Sequence, residues 1–343
     1  MAICVSPADY ASEHPELLAL LEANLPQLPH ARRLSWLYRA NPDGPAWSWF
    51  VREKATGEVV GTASVFPHSL WVGGQPRLCG QVGDFAICPK YRSLGPNLLL
   101  HRATFELVDR GTLSFCYDCT AQERGMATFH RLGMKAQCAV ERHALPLRVD
   151  GRLRRIRGLS LVAPVANAIL RLQRRCNSGS TDLEISEHTG PFGEEFSHLD
   201  ASLASSDTIR IRRSAEFLNW RYREDPLHNY QVLTARRGGE LRAFVAFYVS
   251  GEDATVVDLF GIEQPETGLA LLEAVANRCE HSCQTVHAFL ASGSQMASVH
   301  LNAGFRPRPS ATRVLAYAKP GSEVAEFLQD SRRWALSGVD IWS

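Results

Sequence analysis

Apolar and polar side chains alternate over residues 47–88, and glycine-containing turn signals divide this region into segments. A period of two residues predicts β-strands with one buried face. The region therefore predicts an antiparallel meander of about three strands that leads into a short apolar strand, Phe85–Cys88. Before it, leucines at helical spacing predict an opening helix over residues 9–24, and a second helix follows within residues 32–45.

The pattern changes at Pro89, after which predicted helices and strands alternate. Helical spacing predicts a helix over Asn97–Arg110 and another near Gly125–Arg131, and apolar runs predict strands over Leu113–Cys119 and Ala136–Leu145. The order α–α–β–β–β–loop–α–β–α–β predicts an α/β fold with a mixed sheet. In this fold a mostly antiparallel meander precedes a β-α-β-α-β portion.

The same pattern recurs in the second half of the chain. A motif W-x-Y-R-x-x-P begins at Trp36 and again at Trp220, and each copy precedes a meander, a helix and a strand. Gly133 and Gly304 occupy matching places near the end of each copy, and both offsets are close to half of the chain. These repeats predict an internal duplication. The predicted units are a first domain over 1–150, an arginine-rich linker over 151–181 and a second domain over 182–343.

Composition narrows the class of protein. The 343 residues are 45% hydrophobic and 21% charged, which is typical of a soluble globular protein. A net charge of +1 gives no global reason to expect a nucleic-acid partner. No run of about twenty apolar residues predicts a membrane span, and no signal-peptide pattern is evident. Nine cysteines without such a signal predict reduced thiols and a cytoplasmic protein.

Two cysteine spacings raise the question of a metal site. Cys279 and Cys283 flank His281 in a C-x-x-x-C pattern, where a zinc site is conceivable. Cys116 and Cys119 fall in a predicted strand, in which positions i and i+3 point to opposite faces. We interpret these cysteines as buried or incidental thiols and predict no metal site.

The turn after the short apolar strand has the chemistry of an anion-binding site. The strand ends at Pro89, a basic loop containing Gly95 follows, and an apolar helical segment begins. The N–H groups at the start of a helix and its partial positive charge hold phosphate oxygens. Arg92 adds a full positive charge to this loop.

This loop carries a family resemblance. RSLGPN (residues 92–97) resembles the pattern [R/Q]-x-x-G-x-[G/A] with which the GNAT superfamily of acyl-CoA-dependent acyltransferases holds the CoA pyrophosphate. It departs from the pattern where Pro96 removes an N–H donor and where Asn97 replaces a small residue. HRLGM (residues 130–134) is similar to the family's klGF signature. The cofactor-binding residues that the resemblance implies are Ile87, Cys88, Arg92, Ser93, Leu94, Gly95 and Asn97.

The resemblance further implies two tandem GNAT domains and an N-acyltransferase. The expected reaction moves an acetyl or other acyl group from acyl-CoA to the amine of a small molecule, such as an amino sugar or a natural-product intermediate. In the second half, Glu263–Gly268 takes the place of the loop, and two carboxylates there would repel a pyrophosphate. We therefore predict one acyl-CoA site, in the first half, and a degenerate second copy.

Direct attack of an amine on a thioester requires a base for the amine proton. Asp84, at the start of the short apolar strand, is the first candidate, and its alternative role is a carboxylate bonded to local backbone. Asp118, on the strand after the helix, is the second candidate. Phe129 stands where the family commonly has a tyrosine that acts as general acid, so the CoA thiolate would leave unassisted.

Three features leave alternatives open. Residues 152–175 contain seven arginines, which could lie solvated on a helix, contact a membrane surface or bind the phosphates of tRNA. In the last case the acyl or aminoacyl donor would arrive on tRNA or on a carrier protein. The missing tyrosine fits a non-catalytic module that only binds CoA. Trp334, Asp340 and Trp342 could bind a sugar or an ammonium group, or could dock the tail on the body.

Overall fold

A computed structural model describes residues 2–120, 128–149, 167 and 182–341 of the protein. The elements of the first half are β1 (Ile3–Pro7), α1 (Tyr10–Asn24), α2 (His30–Tyr38), β2 (Trp47–Glu53), β3 (Val59–Val72), β4 (Gln75–Ile87), a 3₁₀ turn (Pro89–Tyr91), α3 (Leu94–Asp109), β5 (Phe115–Thr120) and β6 (Lys135–Pro146). Those of the second half are β7 (Glu184–Glu187), α4 (Glu194–Ser202), β8 (Ile209–Ile211), α5 (Ala215–Tyr222), β9 (Gln231–Arg237), β10 (Glu240–Ser250), β11 (Asp253–Phe260), α6 (Pro265–Cys279), β12 (Thr285–Ala291), α7 (Gln295–Asn302), β13 (Arg306–Arg308), β14 (Arg313–Ala318), α8 (Glu323–Phe327), a 3₁₀ turn (Ser331–Arg333) and α9 (Gly338–Ile341).

The fourteen strands of the described residues join one mixed sheet. Its order is β1-β2-β3-β4-β5-β14-β6-β12-β11-β10-β9-β7, with β8 paired to β3 and β13 paired to β6 at the side. The neighbours β4–β5 and β11–β12 are parallel, whereas the other neighbours along this order are antiparallel. The predicted α/β fold with a mixed sheet is confirmed, and the meander before the loop corresponds to β2, β3 and β4.

The two halves of the chain exchange their last strands. Strand β14 of the second half lies between β5 and β6 of the first half, and β6 in turn pairs with β12 of the second half. The exchange covers strand edges that each half would otherwise expose. The sheet thus runs through both halves, and the domain boundaries at residues 150 and 182 stay predictions. The arginine-rich stretch lies, apart from residue 167, outside the described residues.

The repeated motif brings the halves together in the core. The indole rings of Trp36 and Trp220 stack with centroids 4.7 Å apart and planes inclined by 17°. Trp36 Nε1 donates to the carbonyl of Trp220 at 3.0 Å, and Trp220 Nε1 donates to the carbonyl of Trp36 at 3.2 Å. Such reciprocal contacts arise when two equivalent segments face each other, while the internal duplication itself stays a prediction.

In the first half, two helices cover one face of the sheet and one helix covers the other. On one face, Leu17 of α1 and Leu37 of α2 pack into the main core around Phe66. On the other face, Leu100 and Val108 of α3 pack on the sheet in a separate cluster. No helix among the described residues is both long and apolar enough to cross a membrane.

Two predicted boundaries differ from the structure, and one strand was not predicted. Helix α3 begins at Leu94 rather than at Asn97, so the residues of the predicted loop form its first turn. Pro96 fits there because first-turn N–H groups have no intrahelical acceptor. The predicted short strand Phe85–Cys88 is the end of the longer strand β4, and strand β1, Ile3–Pro7, was not predicted.

Candidate functional site

The parallel strands β4 and β5 separate after a short contact. They pair only at Gly80–Cys116 and Gln81–Tyr117. Beyond these positions β4 continues for six residues and β5 for three, and no described residue pairs with that edge of β4. The sheet of the first half therefore contains an opening between two diverging strands, and the unpaired backbone groups of β4 line one side of it.

A β-bulge in β4 accompanies the divergence. The register with β3 shifts between Thr62 and Ser64, which places Asp84 and Phe85 opposite a single residue. Asp84 has a φ of 46°, a left-handed conformation that few residues other than glycine, asparagine and aspartate adopt. Because a bulge bends its strand and increases the local twist, it turns the end of β4 away from β5.

The end of β4 leads directly to a positively charged helix start. Arg92 is exposed, and it is oriented by its Nε, which donates to the carbonyl of Ile87 at 2.9 Å, and by its Nη2, which lies 3.4 Å from Asn24 Oδ1. Ser93 is the N-cap of α3, but its side chain makes no capping hydrogen bond. The first-turn N–H groups of α3 thus add their partial charge to that of Arg92.

Gly95 leaves room for a ligand at this helix start. A Cβ built at Gly95 meets no described atom within 4 Å, whereas a Cβ at the matching Gly268 would lie 2.6 Å from Val299 Cγ1. Packing of α6 on α7 therefore requires Gly268, while nothing described packs on Gly95. Asn97 Oδ1 is buried without a hydrogen-bond partner among the described residues. Positive charge, backbone donors and open space together fit a phosphate group.

Of the three remaining predicted binding residues, Leu94 is the first residue of α3, and Ile87 and Cys88 shape the loop through their backbone. The N–H of Cys88 donates to the carbonyl of Val60 at 2.9 Å, which anchors the end of β4 to β3. The carbonyl of Ile87 accepts from Arg92. Ile87 and Cys88 therefore place Arg92 at the mouth of the opening.

Asp84 lies on the face of the sheet that α2 covers, and both of its carboxylate oxygens are engaged. Arg33 of α2 forms an ion pair with Oδ1, and Tyr38 Oη donates to Oδ2 at 2.7 Å. The side chains of the ion pair are only 5% and 3% exposed. Burial, together with the charge of Asp84, raises the pKa of Tyr38 well above its ordinary value, so the phenol stays a donor.

The second half repeats this constellation. Asp258 of β11 accepts from Arg213 Nη2 at 2.8 Å and from Tyr222 Oη at 3.1 Å, and Tyr222 matches Tyr38 in the repeated motif. An aspartate, a tyrosine and an arginine thus hold β4 and β11 alike. This shared role was not predicted from the sequence, although the offset between Asp84 and Asp258 agrees with the other repeat offsets. Aligning the two halves residue by residue would have found it.

Asp118 lies on the opposite side of the sheet from Asp84. It follows Tyr117, the last residue of β5 that pairs with β4. Since Tyr117 packs into the main core beneath α1 and α2, strand alternation places Asp118 on the α3 side of the opening. The carboxyl is half-buried, and burial raises its pKa to about 7. The structure therefore does not bring the two predicted bases together.

The second half has a matching opening. Strands β11 and β12 pair in parallel from Asp253–Thr285 to Val256–Ala288 and then diverge. The register of β10 and β11 shifts here as well, next to Val257. The two halves thus share the bulge and the opening as well as the buried aspartate.

The C-terminal tail fills the second opening. The N–H of Ala291 on β12 donates to the carbonyl of Leu336 at 3.0 Å, and Gly338 lies so close to β11 that a Cβ there would be 3.0 Å from Val257 Cα. Asp340 is fully buried, and its carboxylate accepts from the N–H groups of Ile211 and Ser337 at 3.1 and 2.7 Å.

The three residues considered for a sugar or ammonium site all belong to this tail, and the structure describes two of them. Trp334 is 1% exposed, and its Nε1 donates to the carbonyl of Leu328 at 3.0 Å. Asp340 lies 3.5 Å from Arg213 Nη2. Both side chains are therefore used in docking the tail, and Trp342 lies outside the described residues.

Comparisons place this geometry among known folds. No family model matches the sequence, and no curated protein matches it. Several solved structures do match it. The chain is similar to a conserved Enterococcus faecalis protein described as a probable N-acyltransferase, with TM-score 0.69, 10% identity, and 93% of this chain and 73% of that chain covered. It is similar to a GCN5-related N-acetyltransferase from Anabaena variabilis, with TM-score 0.67, 11% identity, and 92% and 72% covered.

A third similar structure binds a ligand. The N-myristoyltransferase of Saccharomyces cerevisiae, solved with bound myristoyl-CoA, has TM-score 0.58 and 13% identity, and 99% of this chain and 89% of that chain are covered. At such identities the likeness concerns the fold. The chain has the GNAT fold over nearly its whole length, and the resemblance first seen in residues 92–97 is confirmed at the level of the fold.

Proposed function

We propose that the protein is an acyl-CoA-dependent N-acyltransferase that moves an acyl group to the amine of a small molecule. One observation carries the proposal: the opening between β4 and β5 is followed by the start of α3, with the exposed Arg92 just before the helix and open space at Gly95. The corresponding opening of the second half is filled by the tail and is followed by an acidic helix start. One donor site for each chain follows from this difference.

Each part of an acyl-CoA has a counterpart in the opening. The pyrophosphate would bind the first-turn N–H groups of α3 and Arg92. The amide-containing arm of CoA would run along the unpaired edge of β4, whose N–H and C=O groups can bond an extended chain as they would a neighbouring strand. The thioester would then lie near the bulge, between β4 and Asp118.

The reaction is a direct displacement. The amine nitrogen attacks the thioester carbonyl, a C–N bond forms, the C–S bond breaks and the CoA thiolate leaves. Asp118 takes the proton of the amine, because a carboxyl with a pKa of about 7 is both ionised and basic enough near neutral pH. A backbone N–H on the free edge of β4 would stabilise the oxyanion. Asp84 instead holds the bulge in place through Arg33 and Tyr38.

Acetyl-CoA binding to the whole chain, measured by isothermal titration calorimetry, tests the donor site. The double variant Arg92→Glu/Gly95→Asp should weaken binding by about 100-fold, because it removes a phosphate partner and places carboxylates at the helix start. The matched control Arg110→Glu/Gly193→Asp makes the same change of charge at an exposed arginine and at the open N-cap of α4. Equal losses in both variants, or no binding by the wild type, would contradict the proposal.

Turnover separates an enzyme from a module that only binds CoA. The assay follows release of free thiol from acetyl-CoA in the presence of a panel of amines and amino sugars. Thiol release that depends on the amine and is lost in Asp118→Asn supports the proposed enzyme. Binding of acetyl-CoA without turnover of any amine in the panel favours the binding module. The presence of Phe129 in place of the family's tyrosine fits that alternative.

A further inference from the structure

We propose that a bridge of three rings, Phe85, His101 and Phe129, restricts the acyl group at this site to short chains such as acetyl. This inference rests on the proposed function and names the class of donor. The rings come from three different elements: Phe85 from the bulge of β4, His101 from α3 and Phe129 from the helical turn that precedes β6. Among them, Phe85 and Phe129 belong to opposite sides of the opening.

The three rings are in direct contact. Phe85 and His101 stack with centroids 4.6 Å apart and planes inclined by 8°, and the rings of His101 and Phe129 are 4.4 Å apart. His101 and Phe129 are each only 3% exposed. The three rings therefore form a continuous layer on the α3 side of the opening, from β4 to the helical turn that precedes β6.

Protein also fills the space behind this layer. Phe105 of α3 stacks on Tyr317 of β14 at 4.1 Å, and Phe129 shares a buried cluster with Phe105, Met134 and Leu315. A long acyl chain entering from the thioester on this side would have to displace these close-packed side chains.

The imidazole of His101 behaves as an apolar member of the layer. Its Nδ1 is buried without a hydrogen-bond partner among the described residues, and burial lowers the pKa of the ring to about 4. The ring is therefore neutral at physiological pH, and no charge draws water into the bridge.

Calorimetric titration of the full chain with CoA, acetyl-CoA, butanoyl-CoA and octanoyl-CoA tests the inference. The wild type should bind octanoyl-CoA at least tenfold more weakly than acetyl-CoA. Phe129→Ala should raise the ratio of octanoyl-CoA to acetyl-CoA affinity at least tenfold, because it opens the layer. Phe85→Ala should do the same, and since Phe85 is only half-buried this variant keeps the test available if Phe129→Ala does not fold.

A control separates an opened layer from general loosening of the fold. Phe115→Ala removes an equally large, fully buried ring of β5 on the opposite face of the sheet and should leave the affinity ratio unchanged. Equal binding of octanoyl-CoA and acetyl-CoA by the wild type overturns the inference but leaves the proposed function intact. An unchanged ratio of octanoyl-CoA to acetyl-CoA affinity in both Phe129→Ala and Phe85→Ala likewise overturns the inference and leaves the proposed function intact. Failure of every CoA thioester and of CoA itself to bind overturns the proposed function, and the inference with it.

Discussion

The carboxyl of Asp118 connects stability with activity, because the environment that makes it a base also costs folding free energy. In the folded chain burial raises its pKa from 3.8 to about 7. The unfolded chain therefore releases this proton at a lower pH than the folded chain does. Stability falls as pH rises from about 4 and reaches its lower level above about pH 7, where the folded carboxyl is also ionised.

The magnitude follows from the two pKa values. A rise from 3.8 to about 7 corresponds to roughly 4 kcal/mol, at about 1.36 kcal/mol for each pH unit. By linkage the same two pKa values set the change in stability between pH 4 and pH 8, so we expect about 3–4 kcal/mol. Asp118→Asn, which cannot ionise, should then raise the free energy of unfolding by that amount at pH 8 and change it little at pH 4.

Urea denaturation of the wild type and the variant at pH 4, 6 and 8 measures this difference. Asp207→Asn makes the same substitution at an exposed aspartate and serves as the matched control. In the amine-dependent thiol assay, wild-type kcat/KM should rise with pH to a plateau above about 7, and Asp118→Asn should lower it by about 10²–10⁴-fold. A stability difference that is independent of pH, or a variant less stable than the wild type at pH 8, would refute the reasoning.

Three further outcomes follow. Gly95→Ala should stabilise the chain by about 0.5–1 kcal/mol and weaken acetyl-CoA binding. Gly268→Ala should destabilise the chain by about 1–3 kcal/mol, because the added methyl group contacts Val299. Thermal and urea unfolding of both variants measure the two changes in stability. Arg33→Met should cost about 3–5 kcal/mol because it leaves the Asp84 carboxylate buried without its partner, and adding Asp84→Asn should restore part of the loss, as measured in a double-mutant cycle. Calorimetry should find one acetyl-CoA bound for each chain, and a value of two would contradict the filled second opening.

Periodicity and local motifs were enough to predict much of the fold. The meander, the helix after the glycine loop and the repeated tryptophan motif are all written in short stretches of sequence, where period and turn chemistry act locally. The first turn of α3 was also foreseen as a place of positive charge, since Arg92 and Gly95 are neighbours in the chain. Its start was misplaced by three residues because residues 92–97 were assigned to a loop, whereas residues 94–97 form the first turn of the helix.

The tertiary structure decided which residues face each other. The exchange of β6 and β14, the ion pair of Arg33 with Asp84 and the placing of Asp118 on the other face all depend on contacts between residues far apart in the chain. The same holds for the ring bridge from Phe85 to Phe129. No period within one segment encodes such contacts, because they arise only when separate elements pack. The sequence by itself determined that one helix start is cationic and the other acidic. Only the folded sheet showed that the first opening leads to the cationic start and that the tail fills the second opening.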